Sequence, residues 1–266
     1  MKEEIQIRYL YHSGFAVKTQ NHFLIFDYYP VLSDKASQVD LEHGFINPKQ
    51  LSTENVIVFS SHRHGDHFTP EILTWKKEIP QLEIILSDDI LVEQSPGISK
   101  IGPNQQRDFT WGSVSTLKST DEGVAFLVKI DGICLYHAGD LNWWHWNGET
   151  DAYNKKMKQD YQGQIDLIKN EKVDIAFVPM DPRLQDKYLY GIDYYMKTVG
   201  ANLLFPMHFG QDYRVFDWLA EDARALPYRG RIQLIQQQGQ LFTYTLPQKS
   251  GVIPAEEFQS NSRLDR

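Results

Sequence analysis

The stretch Ser60 to Phe68, SSHRHGDHF, puts three of the chain's nine histidines and one aspartate within six positions. His62, His64, Asp66 and His67 read as H-x-H-x-D-H. Imidazole nitrogen and carboxylate oxygen are donors that zinc, iron and manganese accept. Four donors so close cannot face one point from a regular strand, whose side chains alternate between two faces. They can if the chain leaves the strand and turns, and Gly65 gives the backbone that freedom. The preceding VIVFS reads as a short buried strand, and a loop at a strand's C-terminal end is a usual seat for reactive groups. The chemistry implied is metal binding and, through it, an activated water: a bound divalent ion lowers that water's pKa from about 16 to about 7.

The elements that must position this cluster are largely β-rich. IQIRYLY, FAVKT and HFLIFDYY read as strands separated by turn signals. Ser33 to Ser52 is a long polar connection. TPEILTWKKEI reads as a helix, with Thr69 as N-cap and Pro70 at its first position. LEIILS is a further strand. VAFLVKIDGICLYHAGD reads as a hairpin about Asp131-Gly132, a favoured two-residue turn. Beyond it the spacing predicts helices over about Tyr153 to Asn170 and Tyr190 to Thr198, the latter stopped by Gly200. Strands VDIAFVPM and NLLFPMH, a helix over VFDWLAEDARAL and strands RIQLIQQ and LFTYTL complete the pattern. No Gly/Ser-rich linker interrupts it, so one domain over 1–266 is expected, with a polar tail from about 247.

Composition narrows the partners. The 266 residues are 41% hydrophobic and 23% charged, with a net charge of −8. Such a surface repels phosphate backbones, so a small-molecule substrate is expected and long nucleic acid is not. The single cysteine, Cys134, excludes an internal disulfide and a cysteine zinc finger. Its apolar strand setting suits an inert buried thiol. No apolar h-region opens the chain and no run of 18 apolar residues occurs, so a cytoplasmic protein with no membrane partner is expected.

With H-x-H-x-D-H in place, the chain resembles the metallo-β-lactamase fold superfamily. HFLIFDYY with Asp27, LYHAGD with Asp140 and FPMHF with His208 match the family's order between about residues 5 and 245. The resemblance implies an α/β fold, a four-layer αβ/βα sandwich of two facing mixed sheets covered by helices, with metals at the shared edge. YHSGFAV, FLIFD and YHAGD look most like the branch that includes ascorbate-6-phosphate lactonase. The implied ligands are His62, His64, Asp66, His67, Asp140 and His208, holding one or two ions, zinc first and manganese or iron as alternatives.

One departure stands out. The family places a further histidine ahead of the Gly-Asp strand, and the matching stretch, LKSTDEGVAFLV, has Thr120 or Asp121 there instead. By resemblance one site would use His62, His64 and the absent histidine. The other would use Asp66, His67 and His208, with Asp140 touching both. Asp121 could replace the histidine, His145 or His12 could fold in, or one ion alone could bind tightly; a single tight site or an unequal pair is expected.

Other residues are candidates by position. LNWWHWNGE follows Asp140, so Trp143 and Trp144 could wall a pocket and His145 could act as general acid, with Asp66 orienting the attacking water. His12 lies in the first hairpin turn, near the metals by resemblance. Arg183 and Tyr188, after the strand VDIAFV, could meet substrate, Arg183 by holding a carboxylate or phosphate. Together these features predict a metal-dependent hydrolase of a small lactone, ester or phosphodiester. The alternatives are a ribonuclease or phosphodiesterase of the same superfamily, or a binding protein with a degraded metal site. Subunit contacts through Ser33 to Ser52 or the tail would make a homo-oligomer.

Overall fold

The structure is a computed structural model in which residues 4–31 and 39–246 are described. Two mixed sheets carry the architecture. The first contains β1 (Glu4–Tyr11), β2 (Gly14–Lys18), β3 (Phe23–Phe26), β4 (Val56–Ser60), β5 (Glu83–Ser87) and β6 (Ile98–Ile101) in sequence order. The second contains β7 (Gln106–Phe109), β8 (Gly112–Lys118), β9 (Val124–Ile130), β10 (Ile133–His137), β11 (Ile175–Pro179) and β12 (Leu203–Met207), also in order. A last strand, β13 (Leu241–Thr245), returns to pair with β1.

Strands β3 to β6 run parallel, as do β10 to β12. Interior parallel strands are covered on both faces, which explains why β4 and β11 are buried throughout, and apolar but for Ser60, rather than alternating. Phe15, Phe26 and Phe59 from one sheet meet Phe126, Phe177 and Phe205 from the other in a single core. Helices α1 (Asp151–Asp166) and α2 (Tyr190–Thr198) cover the second sheet through buried Tyr161, Ile165, Ile192 and Tyr195. Thr150 caps α1 by accepting from the Tyr153 amide at 3.2 Å. Helix α3 (Arg214–Glu221) buries Val215, Phe216 and Leu219.

Three expectations change. Pro70–Lys77 is a 3-10 segment, not an α-helix, and Thr69 makes no side-chain cap. Thr74 Oγ1 donates instead to the Glu71 carbonyl at 2.7 Å, a local bond that competes with the α ladder. Its Ile72 and Trp75 still cover the outer face of the first sheet. The predicted helix through VFDWLAEDARAL breaks at Asp222, whose side chain caps a short 3-10 turn by accepting from the Arg224 amide. RIQLIQQ forms no strand; a lone Leu204–Ile232 bridge marks where it passes β12. The polar, partly exposed residues of β6, β7 and β8 hide the apolar signal of these strands in the sequence.

The Asp131-Gly132 turn forms as expected, with φ of 48° and 77°, the left-handed pair such a turn requires. The polar tail from 247 and residues 32–38 of the long connection lie outside the described residues; the rest of that connection holds 3-10 turns at Leu41–His43 and Pro48–Leu51. Among the described residues no helix is long and apolar enough to cross a membrane.

Candidate metal centre

Strand polarity brings the chemistry together. The C-terminal ends of β3, β4, β10, β11 and β12 point to one edge of the sandwich, delivering Asp27, Ser61 with His62, Asp140, Asp181 and His208. The β1–β2 turn adds His12, and the β8–β9 turn adds Asp121. After β4 the chain coils, with His67 and Phe68 amides both donating to the His64 carbonyl, so His62, His64, Asp66 and His67 share one side of the edge. His12, Asp27 and His208 take positive φ values of 53°, 42° and 66°. Non-glycine residues held there cost roughly 1–2 kcal/mol each and cluster at functional sites.

The donors converge around Asp140, which is 4% exposed. His67 Nε2 and His208 Nε2 lie 3.3 and 3.4 Å from its Oδ1, and His62 Nε2 lies 3.5 Å from its Oδ2. His12 Nε2 is 3.4 Å from Asp66 Oδ2. Among the described residues three sets of possible ligands overlap, each with its atoms within 4.8 Å of one another: His12, Asp66, His67 and His208; His62, His67 and Asp140; His64, Asp121 and Asp140.

A layer of acceptors behind the histidines sets their tautomers. Asp27 is fully buried and accepts from His67 Nδ1, Ser61 Oγ and the Ser61 amide, each at 2.7 Å. Asp181 accepts from His208 Nδ1 at 2.9 Å. A carboxylate can only accept, so each Nδ1 carries hydrogen and each Nε2 presents its ligating face to Asp140. Ser61 Oγ also lies 3.0 Å from His62 Nδ1.

The electrostatics fit a cation. Burial opposes charging Asp140, yet His67 and His208 hold its carboxyl well below the usual range. Burial likewise opposes charging His208, but Asp140 and Asp181 on either side raise it to about 10. His62 is pushed down to about 4 by burial and then by His67. Among the described residues, His12 Nε2, His67 Nε2 and Asp140 Oδ1 are buried without a hydrogen-bond partner. Each such orphan costs about 1–3 kcal/mol unless something satisfies it. Nitrogen and oxygen atoms converging in this way match the donor set of a divalent metal.

Among the described residues, two clefts open on the cluster. One, of about 750 Å³, is walled by His12, Asp66, His208, Arg183, Tyr11 and Arg214. The other, of about 270 Å³, lies over Asp121 and Asp140 between Trp144, Trp146 and Tyr153. Arg183 borders both, its guanidinium held on Asp181 and 5.6 Å above the Trp146 ring. Trp144 stands edge-on to His208, and its Nε1 donates to the Asp140 carbonyl at 2.9 Å.

Sequence reasoning placed some residues elsewhere than they lie. Trp144 and Trp146 face the cluster while Trp143 and His145, one residue off, turn to the other side and pack on Tyr190, at 4.9 and 5.6 Å. His145 belongs to none of the ligand sets and borders neither cleft, so the geometry gives it no general-acid position. Tyr188 is buried and donates to Asp222 on a different face, because a kink at Gln185 (φ 53°, ψ −125°) redirects the segment. Ser61, Tyr11 and Arg214 were missed; only the serine's place beside His62 could have hinted at its role.

A histidine–aspartate cluster at the strand ends of a two-sheet sandwich has the donor arrangement of a metal centre. Residues 6–145, just over half of the chain, match the family described as beta-lactamase superfamily domain, and the chain belongs to that superfamily. A Thermococcus onnurineus protein named UPF0173 metal-dependent hydrolase is 27% identical over 150 residues, 51% of this chain; the match spans 61% of that relative's length. Igni18, a metallo hydrolase of Ignicoccus hospitalis, superposes with a TM-score of 0.59 at 14% identity, over 92% of this chain and 100% of that one. YhfI of Bacillus subtilis, a metallo-beta-lactamase fold protein, superposes at 0.58 and 14% identity, over 91% and 100%. Likeness at such identities concerns the fold.

Proposed function

We propose that this protein is a metal-dependent hydrolase of a small soluble substrate, a lactone, ester or phosphodiester, working in the cytoplasm and nearest in kind to the lactonase-like branch. The observation that carries this reading is the convergence of unpartnered His12, His67 and Asp140 atoms, backed by Asp27 and Asp181. His12, Asp66, His67 and His208, with Asp140 and His62 at their edge, would hold the principal ion, and so imidazole-rich a set suits zinc first, with manganese or iron as alternatives. When bound, such an ion supplies a water ionised near neutral pH and polarises the substrate's carbonyl or phosphoryl oxygen.

This chain's own groups do the rest. The His12 imidazole, its Nε2 3.4 Å from Oδ2, keeps the Asp66 carboxylate well below the usual range, so it stays ionised and can orient a water. Arg183 offers a fixed cation to an anionic part of the substrate, since Asp181 already holds its orientation. Trp144 and Trp146 limit water on the side opposite His12. The net charge of −8 favours a small substrate over long nucleic acid.

The test is metal content by elemental analysis of protein purified without added metal, wild type and His208→Ala. It is paired with turnover of 4-nitrophenyl acetate, a γ-lactone and bis(4-nitrophenyl) phosphate. Bound metal that the variant loses, with hydrolysis of at least one substrate falling in parallel, is the expected result. No metal after incubation with zinc, manganese or iron would overturn the reading in favour of a binding protein.

A further inference from the structure

The β8–β9 turn, Ser119 to Gly123, is built into the metal-bearing edge at several points. Thr120 Oγ1 donates to the Asn142 carbonyl at 2.7 Å and accepts from the Asn142 amide at 3.0 Å, tying the turn to the segment after Asp140. The Val124 amide donates to the Ser61 carbonyl at 2.9 Å, tying it to the segment before His62. Arg63 grips Glu122 with two bonds of 2.7 and 2.8 Å, tying it to the chain between His62 and His64. Asp121 is therefore held in place beside the ligands.

Its charge is unanswered. Among the described residues no side chain donates to the Asp121 carboxylate and none forms an ion pair with it, whereas the adjacent Glu122 is neutralised by Arg63. Asp121 nevertheless shares a set with His64 and Asp140, all ligating atoms lying within 4.8 Å. Asp140 is 4% exposed, and its Oδ1 lacks a partner. Two carboxylates at that distance repel, and a cation between them relieves that repulsion. His64 Nδ1 stands 3.0 Å from His62 Nε2, so two imidazoles meet where this group borders the principal one.

We propose that His64, Asp121 and Asp140 form a second divalent-cation site, in which the Asp121 carboxylate stands where the resemblance called for a histidine. The proposal rests on the metal-dependent reading of the principal cluster. The site has one imidazole and two carboxylates, against the imidazole-rich set beside it. Oxygen donors suit manganese, iron(II) or magnesium, and each imidazole exchanged for carboxylate lowers the advantage of zinc. The two sites are thus unequal: the principal one binds tightly and prefers zinc, and the second binds more weakly and accepts manganese.

The experiment uses full-length chelator-stripped protein titrated with Mn²⁺ or Zn²⁺ by calorimetry, with the manganese form also followed by electron paramagnetic resonance. Wild type should bind two Mn²⁺ with dissociation constants at least tenfold apart, and the shared Asp140 should couple their spins. Asp121→Ala and Asp121→Asn should each bind one ion with an uncoupled spectrum and the tighter constant changed by no more than about threefold. Asp121→His should restore the second ion and shift its preference toward zinc by tenfold or more. Glu122→Gln should keep both ions. A wild type that binds one ion and is unchanged by Asp121→Ala would overturn the second site and leave the hydrolase reading standing, as would a variant that still binds two with wild-type constants. Loss of the second ion in Glu122→Gln alone would overturn the Asp121 assignment. A wild type that binds no ion would overturn both readings.

Discussion

Gly123 tests how the two sheets register at the metal edge. Its φ is +67°, and a Cβ there would lie 2.0 Å from the Ser61 carbonyl oxygen and 2.5 Å from the His62 Cβ. Gly132 provides the matched control, with φ of +77° and nothing within 4 Å of the added atom. Alanine in left-handed backbone costs about 1 kcal/mol at either position. Loss of unfolded-chain entropy acts equally on both and cancels in the comparison. Only Gly123→Ala adds overpacking, about 1–3 kcal/mol, because the obstructing atoms are backbone and a buried histidine. The expected losses are about 2–4 kcal/mol for Gly123→Ala and about 1 kcal/mol for Gly132→Ala. Urea denaturation with chelator present reads this difference free of metal linkage. Relieving the clash moves Ser61 and His62 by about an ångström, so Gly123→Ala should also weaken metal binding by at least about tenfold in calorimetry. Equal stability losses for the two variants, with metal affinity intact in both, would refute the claim that this close approach sets the His62 position.

Two further perturbations separate orientation from ligation and stability from the site. Asp181→Asn removes the carboxylate behind His208 without touching a ligating atom, and should weaken metal affinity about 10–100-fold by calorimetry while the circular dichroism spectrum stays unchanged. At the opposite end of the sandwich, Asp131 in the β9–β10 turn accepts from Thr19 Oγ1, the Asn21 amide and His22 Nδ1, joining the second sheet to the first. Burial alone would raise its carboxyl, but those donors, Thr19 foremost, lower it below the usual value. A depressed carboxyl stabilises the fold above the unfolded pKa, about 4, and that contribution is lost as pH falls through the folded value. Asp131→Asn keeps a side chain that tolerates positive φ, so it should cost about 1–3 kcal/mol at pH 7 and flatten the acid limb of the stability profile below about pH 4. An acid limb as steep as wild type would show that this carboxylate is not what acid titrates.

The part of the site that was legible in the sequence is the part that is local. His62, His64, Asp66 and His67 fall within six residues, so their types and spacing were sufficient to suggest a metal. Asp140 and His208 came from resemblance, because what joins them to the cluster is strand polarity, and no spacing along the chain records which ends of β4, β10 and β12 meet. The misplacements have equally local causes. After Asp140, facing the cluster alternates residue by residue: Trp144 and Trp146 stack with their planes 4° apart near His208 and Asp121, while Trp143 and His145 are carried to Tyr190. Composition marked the whole aromatic segment, and only the phase of that alternation, set by the bond from Trp144 Nε1 to the Asp140 carbonyl, decides which half is useful. Tyr188 failed for a related reason, since one strained residue, Gln185, kinks the segment after β11. Asp121 is the opposite case. Its sequence position looked like a loss, an acid where a base was expected. The turn around it is nonetheless fastened to Asn142, Ser61 and Arg63, and a loop relieved of a ligand has no need of three anchors that fix a lone carboxylate beside Asp140.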